Sequence, residues 1–323
     1  MSIEKIKKEF EREFIEIDNI INNGLSSEVE LINDISSYIT LHSGKRVRPL
    51  ITILLSLATG YKGYKHLILS SVIELIHTAT LLHDDVVDES EKRRGMSAVN
   101  IRWGNSEAIL VGDYLYTKAF QMMLDVNNFK IFKIISSCTN IMAEGEALQL
   151  LNRNRFDVTE DECLKVIVSK TAQLFIASSS VGAILGKCND RVFNLIRKYG
   201  LHIGIAYQLV DDVLDYTIMC NDKFGKNVGD DFLKGVFNIP FIYAMKFMTK
   251  KDKCLVYDIL KTQDKRNFFK IRDMIIHYGG IDYSVNLVKK EVFLANKSLS
   301  VLKKSKYSDM LYELSEFLTK RIY

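Results

Sequence analysis

Proline is almost missing from this chain: Pro49 and Pro240 are the only two in 323 residues, where about 5% would be ordinary. Glycine is also short, at 17 residues, against a usual ~7%. A fold that turns often needs both, so a sandwich, a propeller, a collagen-like chain and a disordered chain are excluded. Cysteine is sparse and scattered. Cys138, Cys163, Cys188, Cys220 and Cys254 lie at least 25 residues apart with no CxxC pair, which excludes a zinc or disulfide framework and predicts reduced thiols in a cytoplasmic protein. Charge of one sign is missing too. Lys and Arg number 44 against 40 Asp and Glu, a net +4, so no nucleic-acid partner is expected. No long hydrophobic run occurs: the longest uncharged stretch, Thr171–Gly186, contains Gln173 and Ser178 to Ser180. No transmembrane segment is therefore expected. Met1–Asp18 alternates charged and apolar residues, unlike a signal peptide.

What the chain has is helical periodicity. Ile3, Ile6, Phe10, Phe14 and Ile17 recur at spacings of three and four, predicting one amphipathic helix at the N-terminus. Pro49–Ala58 is an apolar run opened by proline and stopped at Gly60, which predicts a buried helix with Pro49 at its first position. Further helices are predicted over 66–88, 106–125, 129–151, 160–186, 190–220, 239–249 and 284–304, with Gly, Asn and Asp breaks between them. No convincing strand alternation is present, so the fold class is all-α. No Pro/Gly/Ser linker divides the chain, and residues 1–323 read as a single domain.

Two short acidic patterns repeat: Asp84-Asp85-Val86-Val87-Asp88 and Asp211-Asp212-Val213-Leu214-Asp215. On a helix, Asp84 and Asp88 share a face one turn apart, as do Asp211 and Asp215. Like charges at that spacing repel, and each cluster ends a strongly apolar stretch where solvated acid is out of place. A hard divalent cation resolves the conflict. Mg²⁺ takes one or two carboxylates and completes its shell with water and substrate phosphate oxygens. Carboxylate pairs without Cys or a supporting His suit it better than zinc or iron. Cations stand where a polyphosphate would need them. Gly44-Lys45-Arg46-Val47-Arg48-Pro49 brings three positive charges to a helix start, where free N–H groups and the dipole also favour phosphate. Lys92-Arg93-Arg94-Gly95 follows the first acidic cluster closely, and arginine suits bidentate phosphate contact.

Ile73–Gly95, Gly44–Pro49, Ser169-Lys170-Thr171, Tyr207–Asp215 and Gly225–Asp231 together resemble the trans-polyprenyl diphosphate synthases, particularly the bacterial long-chain members, over nearly the whole chain. The resemblance implies the isoprenoid synthase fold, about ten or more mostly antiparallel helices around a central cavity. It implies Mg²⁺ held by Asp84 and Asp88, with Asp211, Asp212 and Asp215 opposite. Arg93, Lys170 and Lys226 would bind an allylic diphosphate, farnesyl or geranylgeranyl. Lys45, Arg48, His77 and Arg94 would bind isopentenyl diphosphate, and Thr171 and Gln208 would line the reaction centre. The implied activity is condensation to a long polyprenyl diphosphate, octaprenyl for a quinone side chain, by a homodimer.

Ala79 and Thr80 lie five and four residues before Asp84, about 6–8 Å deeper along the helix at 1.5 Å per residue. Their small size leaves a hydrocarbon tunnel open, which predicts a long product. Phe120, Met122 and Met123 are candidates for a floor further down. Two segments depart from the resemblance. The glycines usual before Lys45 are reduced to His42-Ser43-Gly44, and the usual Glu-Gly-Lys-x-Thr-Leu-Pro reads Lys234-Gly235-Val236-Phe237-Asn238-Ile239-Pro240. Val236 thus stands where a phosphate-binding lysine is usual, with Lys234 as a nearby substitute. Three other readings are weaker. Glu74-Leu75-Ile76-His77 matches a di-iron E-x-x-H motif but has no second copy. A terpene cyclase would need a Glu where Leu41 stands after Asn33-Asp34. A non-catalytic subunit would be expected to lose Asp motifs, and both are intact.

Overall fold

The computed structural model describes residues 3–41, 44–217, 232, 234–262 and 268–321. The predicted N-terminal helix is two helices, α1 (Ile3–Glu9) and α2 (Glu11–Gly24), broken at Phe10. All five predicted apolar positions, Ile3, Ile6, Phe10, Phe14 and Ile17, are nevertheless buried. The chain continues through α3 (Glu30–Leu41), α4 (Val47–Ala58), α5 (Lys65–Val87), α6 (Val99–Arg102), α7 (Asn105–Val126), α8 (Phe129–Asn152) and α9 (Glu160–Val166). A π-helical segment, Ile167–Ala172, joins α9 to α10 (Gln173–Leu185), and α11 (Asp190–Thr217) follows. The last helices are α12 (Ile239–Phe247), α13 (Lys250–Thr262), α14 (Phe268–His277), α15 (Gly280–Leu299) and α16 (Lys306–Lys320).

The all-α expectation holds, with one small exception. Lys92–Arg93 and Met96–Ser97 form a two-stranded antiparallel hairpin, β1 and β2, in which Arg93 faces Met96. Its two-residue turn is Arg94-Gly95, with φ of 53° and 80°, the mirror-image turn that joins tight hairpins. Glycine takes that geometry freely, whereas a left-handed Arg94 costs about 1–2 kcal/mol. Two helix boundaries also differ from expectation. Helix α4 begins at Val47, so Pro49 is its third residue, not its first. Proline is tolerated there because the first four N–H groups of a helix have no partner within it. The helix expected over 284–304 starts instead at Gly280, directly behind the left-handed Gly279.

The buried apolar side chains form one cluster running through the whole bundle. Its centre is α10, buried continuously from Leu174 to Ala183 and packed against α4, α5, α8 and α11. Helix α5 packs most extensively on α7, and α11 on α15. By length and composition, Lys65–Val87 and Glu160–Leu185 would each suffice to cross a membrane, contrary to the expectation that no segment would. In each, 67% of the most apolar window is buried inside the bundle, as in core helices generally.

Candidate active site

Helix α5 ends on the first acidic cluster, α11 carries the second, and the π-helical segment presents Lys170 and Thr171 between them. A π segment inserts an extra residue per turn and is common where function needs a side chain re-aimed. It is gripped from both sides. A Cβ on Gly145 of α8 would sit 2.9 Å from the Lys170 backbone N, and one on Gly204 of α11 would sit 2.6 Å from Ala172 Cα. Only glycine allows either approach.

A cavity of about 190 Å³ opens among these elements. Asp84, Asp88, Arg93, Lys170, Thr171, Gln208 and Asp212 line it together, so seven of the residues singled out from the sequence share one wall. Lys234, Val236 and Asn238 close the side where the sequence is least typical. Lys226 lies outside the described residues.

Every aspartate of the first cluster meets a cation. Lys170 Nζ stands 3.7 Å from Asp84 Oδ2 and 2.6 Å from Glu146 Oε2. Arg93 from the hairpin grips Asp85, its Nε donating to Oδ1 at 2.9 Å and to Oδ2 at 3.1 Å. Arg153, just past α8, pairs with Asp88. Burial pushes the Asp84 carboxyl up to about 7, with Glu146 and Asp88 adding to the rise and Lys170 opposing it. Burial alone would lower Lys170, but Asp84 and Glu146 outweigh it and the ammonium is held more firmly than usual.

The second cluster is arranged differently. Thr171 Oγ1 donates to Gln208 Oε1 at 2.7 Å, and Gln208 Nε2 donates to Asp212 Oδ1 at 2.9 Å. This chain links the π segment to Asp212. Asp211 points elsewhere, half exposed and 3.3 Å from Arg321 Nη2. Neither Asp211 nor Asp215 lines the cavity.

A second basic group sits beside this cavity. Arg48 Nη1 donates to His77 Nε2 at 3.2 Å, and its guanidinium lies 4.5 Å from the centre of the Phe175 ring. Since arginine only donates, His77 Nε2 is the acceptor and its proton is on Nδ1. Burial holds His77 well below the ordinary imidazole range, and Arg48, Arg94 and Arg93 lower it further. The Arg94 guanidinium lies against Gly44. Lys45 is lowered by burial and by Arg321, while Asp211 raises it. Glu74, 6% exposed, is raised by its own burial but drawn down by Arg46, Arg94, Arg48 and Lys7 around it. That setting makes Glu74 a counter-ion for the basic group, not half of a di-iron pair.

The donor set suits a hard cation. Asp84, Asp88 and Asp212 offer carboxylate oxygens into one cavity, and Glu146 Oε1 is buried with no partner. The thiol in the wall, Cys163, is held protonated by burial. Among the described residues no three acidic, His or Cys groups form a ready-made cage. Magnesium-type sites fit that description, because substrate phosphate completes the shell.

Sequence reasoning missed Asp85, Glu146, Arg153 and Arg321. Asp85 carried a signal. In a doubled Asp the second residue turns about 100° away from the first on a helix, so it serves a different neighbour, here Arg93. The other three lie far off in sequence and had none. Ala79 and Met123 are fully or nearly fully buried, while Thr80 is half-buried with its hydroxyl donating to His77 O at 2.7 Å. None of the three lines the cavity. Starting at His83, directly before Asp84, the rings of His83, Tyr116, Phe120 and Phe132 form a column with successive centroids 6.0, 6.5 and 6.2 Å apart.

Comparison with known proteins agrees with this layout. The profile of the polyprenyl synthetase family matches residues 29–275. Octaprenyl diphosphate synthase of Escherichia coli (strain K12) is 37% identical over 322 residues, 99% of each chain. Among solved structures, polyprenyl synthase from Caulobacter crescentus CB15, complexed with calcium and isoprenyl diphosphate, superposes with a TM-score of 0.95 at 31% identity, covering 100% of this chain and 98% of that one. A decaprenyl diphosphate synthase from Rhodobacter capsulatus gives 0.93 at 32% identity, covering 100% of both. With the fold, the paired Asp clusters and these relatives in agreement, the chain belongs to the polyprenyl synthetase family and is a prenyltransferase.

Proposed function

We propose that this prenyltransferase condenses isopentenyl diphosphate onto farnesyl or geranylgeranyl diphosphate and makes octaprenyl diphosphate for a quinone side chain. One observation carries this reading: Asp84 and Asp88 of the first cluster, Asp212 of the second, Lys170 and Arg93 all face a single cavity, beside a separate group of Arg48, His77 and Arg94. Asp84 and Asp88 would hold Mg²⁺ with Asp212, and with Asp211 and Asp215 from the same helix. When bound, Mg²⁺ supplies Lewis-acid stabilisation of the diphosphate.

The protein's own residues do the rest. Lys170 and Arg93 bind the allylic diphosphate and stabilise the charge that develops as its C–O bond breaks. Arg48, Lys45 and Arg94 hold the isopentenyl diphosphate, and neutral His77 keeps Arg48 aimed. Holding both substrates converts their encounter into an intramolecular one. The isopentenyl double bond attacks the allylic cation, and the departing pyrophosphate takes the proton lost as the new double bond forms. Thr171 and Gln208, hydrogen-bonded to each other, border the point where the bond breaks.

A cytoplasmic location accords with Cys138, Cys163, Cys188 and Cys254 being free thiols. A homodimer accords with the exposed apolar residues Leu110, Leu124, Phe129 and Leu151 on α7 and α8, and sedimentation would test it. The central experiment incubates the purified protein with farnesyl and isopentenyl diphosphates, with and without Mg²⁺. Elongation only with the metal supports the reading, and none under either condition overturns it. Product length has its own test. Ala79→Tyr places a ring about 7 Å below Asp84 along α5 and is expected to shorten the main product. An unchanged product spectrum would remove Ala79 from any role in the tunnel.

A further inference from the structure

Arg153 belongs neither to the residues singled out from the sequence nor to the two substrate groups described above. It follows α8 in extended backbone, with φ −59° and ψ 136°, and its side chain reaches the end of α5. One Nη pairs with Asp88, and the other donates to Val87 O at 3.5 Å. Its Nε is buried and has no partner. The loop that carries it is anchored on both sides. Asn154 N donates to Gly235 O at 2.9 Å, and the Arg155 guanidinium holds Asn152 and Glu162 at 2.9 and 3.2 Å. Arg153 is therefore a long cationic side chain on a fixed base.

Its position has two consequences. Asp88 and Asn152, to either side of it, both line the cavity. A divalent cation that binds Asp88 meets a carboxylate already neutralised, so it competes with the guanidinium. Once displaced, that guanidinium stands at the rim of the wall formed by Lys234, Val236 and Asn238, where Val236 offers no charge.

We propose that Arg153 is the resident counter-ion of Asp88, that a divalent cation displaces it, and that the freed guanidinium then binds the diphosphate carried by that cation. The first step stands on the ion pair alone. The last rests on the diphosphate chemistry proposed above.

Mn²⁺ is a suitable probe, since it shares the oxygen preference of Mg²⁺ and its free ion can be counted by electron paramagnetic resonance. Full-length Arg153→Gln, titrated without substrate, is expected to bind Mn²⁺ about tenfold more tightly than the wild type, within the usual range for coupled sites. At saturating Mn²⁺ the same variant is expected to bind inorganic pyrophosphate about tenfold more weakly. Arg153→Lys keeps the charge and should return Mn²⁺ affinity towards the wild-type value. Arg153→Met replaces the Gln variant if that one does not fold. Unchanged or weaker Mn²⁺ binding in Arg153→Gln overturns the displacement, as does a Lys variant that behaves like Gln. Unchanged pyrophosphate binding overturns the second role. Failure of the wild type to elongate farnesyl diphosphate would count against the proposed function alone, because the Mn²⁺ titration contains no substrate.

Discussion

The same five-residue pattern, Asp-Asp-Val-x-Asp, occurs twice and is built into the protein in two different ways. At the end of α5 each aspartate has its own cation, brought from a different part of the chain: Lys170 from the π segment, Arg93 from the hairpin and Arg153 from the loop after α8. On α11 the central aspartate is instead tied to a neutral amide, Gln208, and Asp211 meets Arg321 at a half-exposed edge. The first cluster is a set of buried charges balanced in advance. The second is a polar chain running from Thr171 to Asp212. An identical string does not impose an identical environment, because neighbours supplied by distant segments decide what each carboxylate does.

The sharpest way to break the comparison is Asp84→Asn. Asp84 is buried beside Glu146 and Asp88, and its carboxyl is pushed up to about 7. In the folded protein it therefore keeps its proton well above the unfolded carboxylate range near 4. The stabilising effect is complete below that range and is lost as pH rises through about 7. At pH 8 and without metal, Asp84→Asn is expected to raise the melting temperature or leave it unchanged. Activity with Mg²⁺ should fall about 10³-fold, the scale of removing one preorganised electrostatic group. A destabilised variant, or one retaining more than a tenth of the activity, would show that Asp84 serves the fold and not the reaction.

Asp85 and Asp212 are both nearly fully buried, at 2% and 6% exposure, and they differ in partner. Asp85→Asn leaves Arg93 without a full counter-charge and is expected to cost about 3 kcal/mol, as when a buried ion pair loses one member. Asp212→Asn keeps an oxygen that can accept from Gln208 Nε2 and is expected to cost about 1 kcal/mol, the scale of one hydrogen bond. Denaturant unfolding of both variants without metal measures the difference. Equal losses would mean that the two clusters are equivalent after all.

How much of this could be read in advance follows from the range of the interactions. Helix α5, with Asp84 and Asp88 one turn apart and His77 two turns earlier, was legible because a helix fixes those neighbours locally. The all-α class was legible from the shortage of proline and glycine together with the apolar spacing. The Arg94-Gly95 hairpin was not, because its strands are only two residues long and too short for an alternation to register. The π segment was hidden for another reason. Nothing in Ile167–Ala172 itself requires it, and the close approaches at Gly145 and Gly204, far along the chain, are what accommodate it. Glu146 on α8, Arg153 just past α8 and Arg321 just past α16 reach the site from distant segments, so only the tertiary fold identifies them. Arg48 and His77 were both expected to bind substrate, but their mutual hydrogen bond appears only once α4 packs on α5.

That hydrogen bond gives the smallest expected effect and separates the two clusters once more, because it titrates. His77 is held well below the ordinary imidazole value, by burial first and then by Arg48, Arg94 and Arg93. It stays neutral when folded but takes up a proton when unfolded. Its contribution is therefore fully present above about pH 6.5 and is lost as pH falls below that, by up to about 1.4 kcal/mol per pH unit. In a His77→Gln variant the amide oxygen can accept from Arg48 at any pH, because it does not titrate. Near pH 7.5 the wild type should be the more stable of the two by no more than about 1 kcal/mol, the scale of one hydrogen bond. Towards pH 5.5 the gap in melting temperature should close or reverse. On α11 the nearest equivalent donor, the amide of Gln208 on Asp212, is itself a group that does not titrate. A His77→Gln gap that does not change with pH would mean that His77 takes up its proton as readily in the folded as in the unfolded protein, so that it is not held neutral as the acceptor for Arg48.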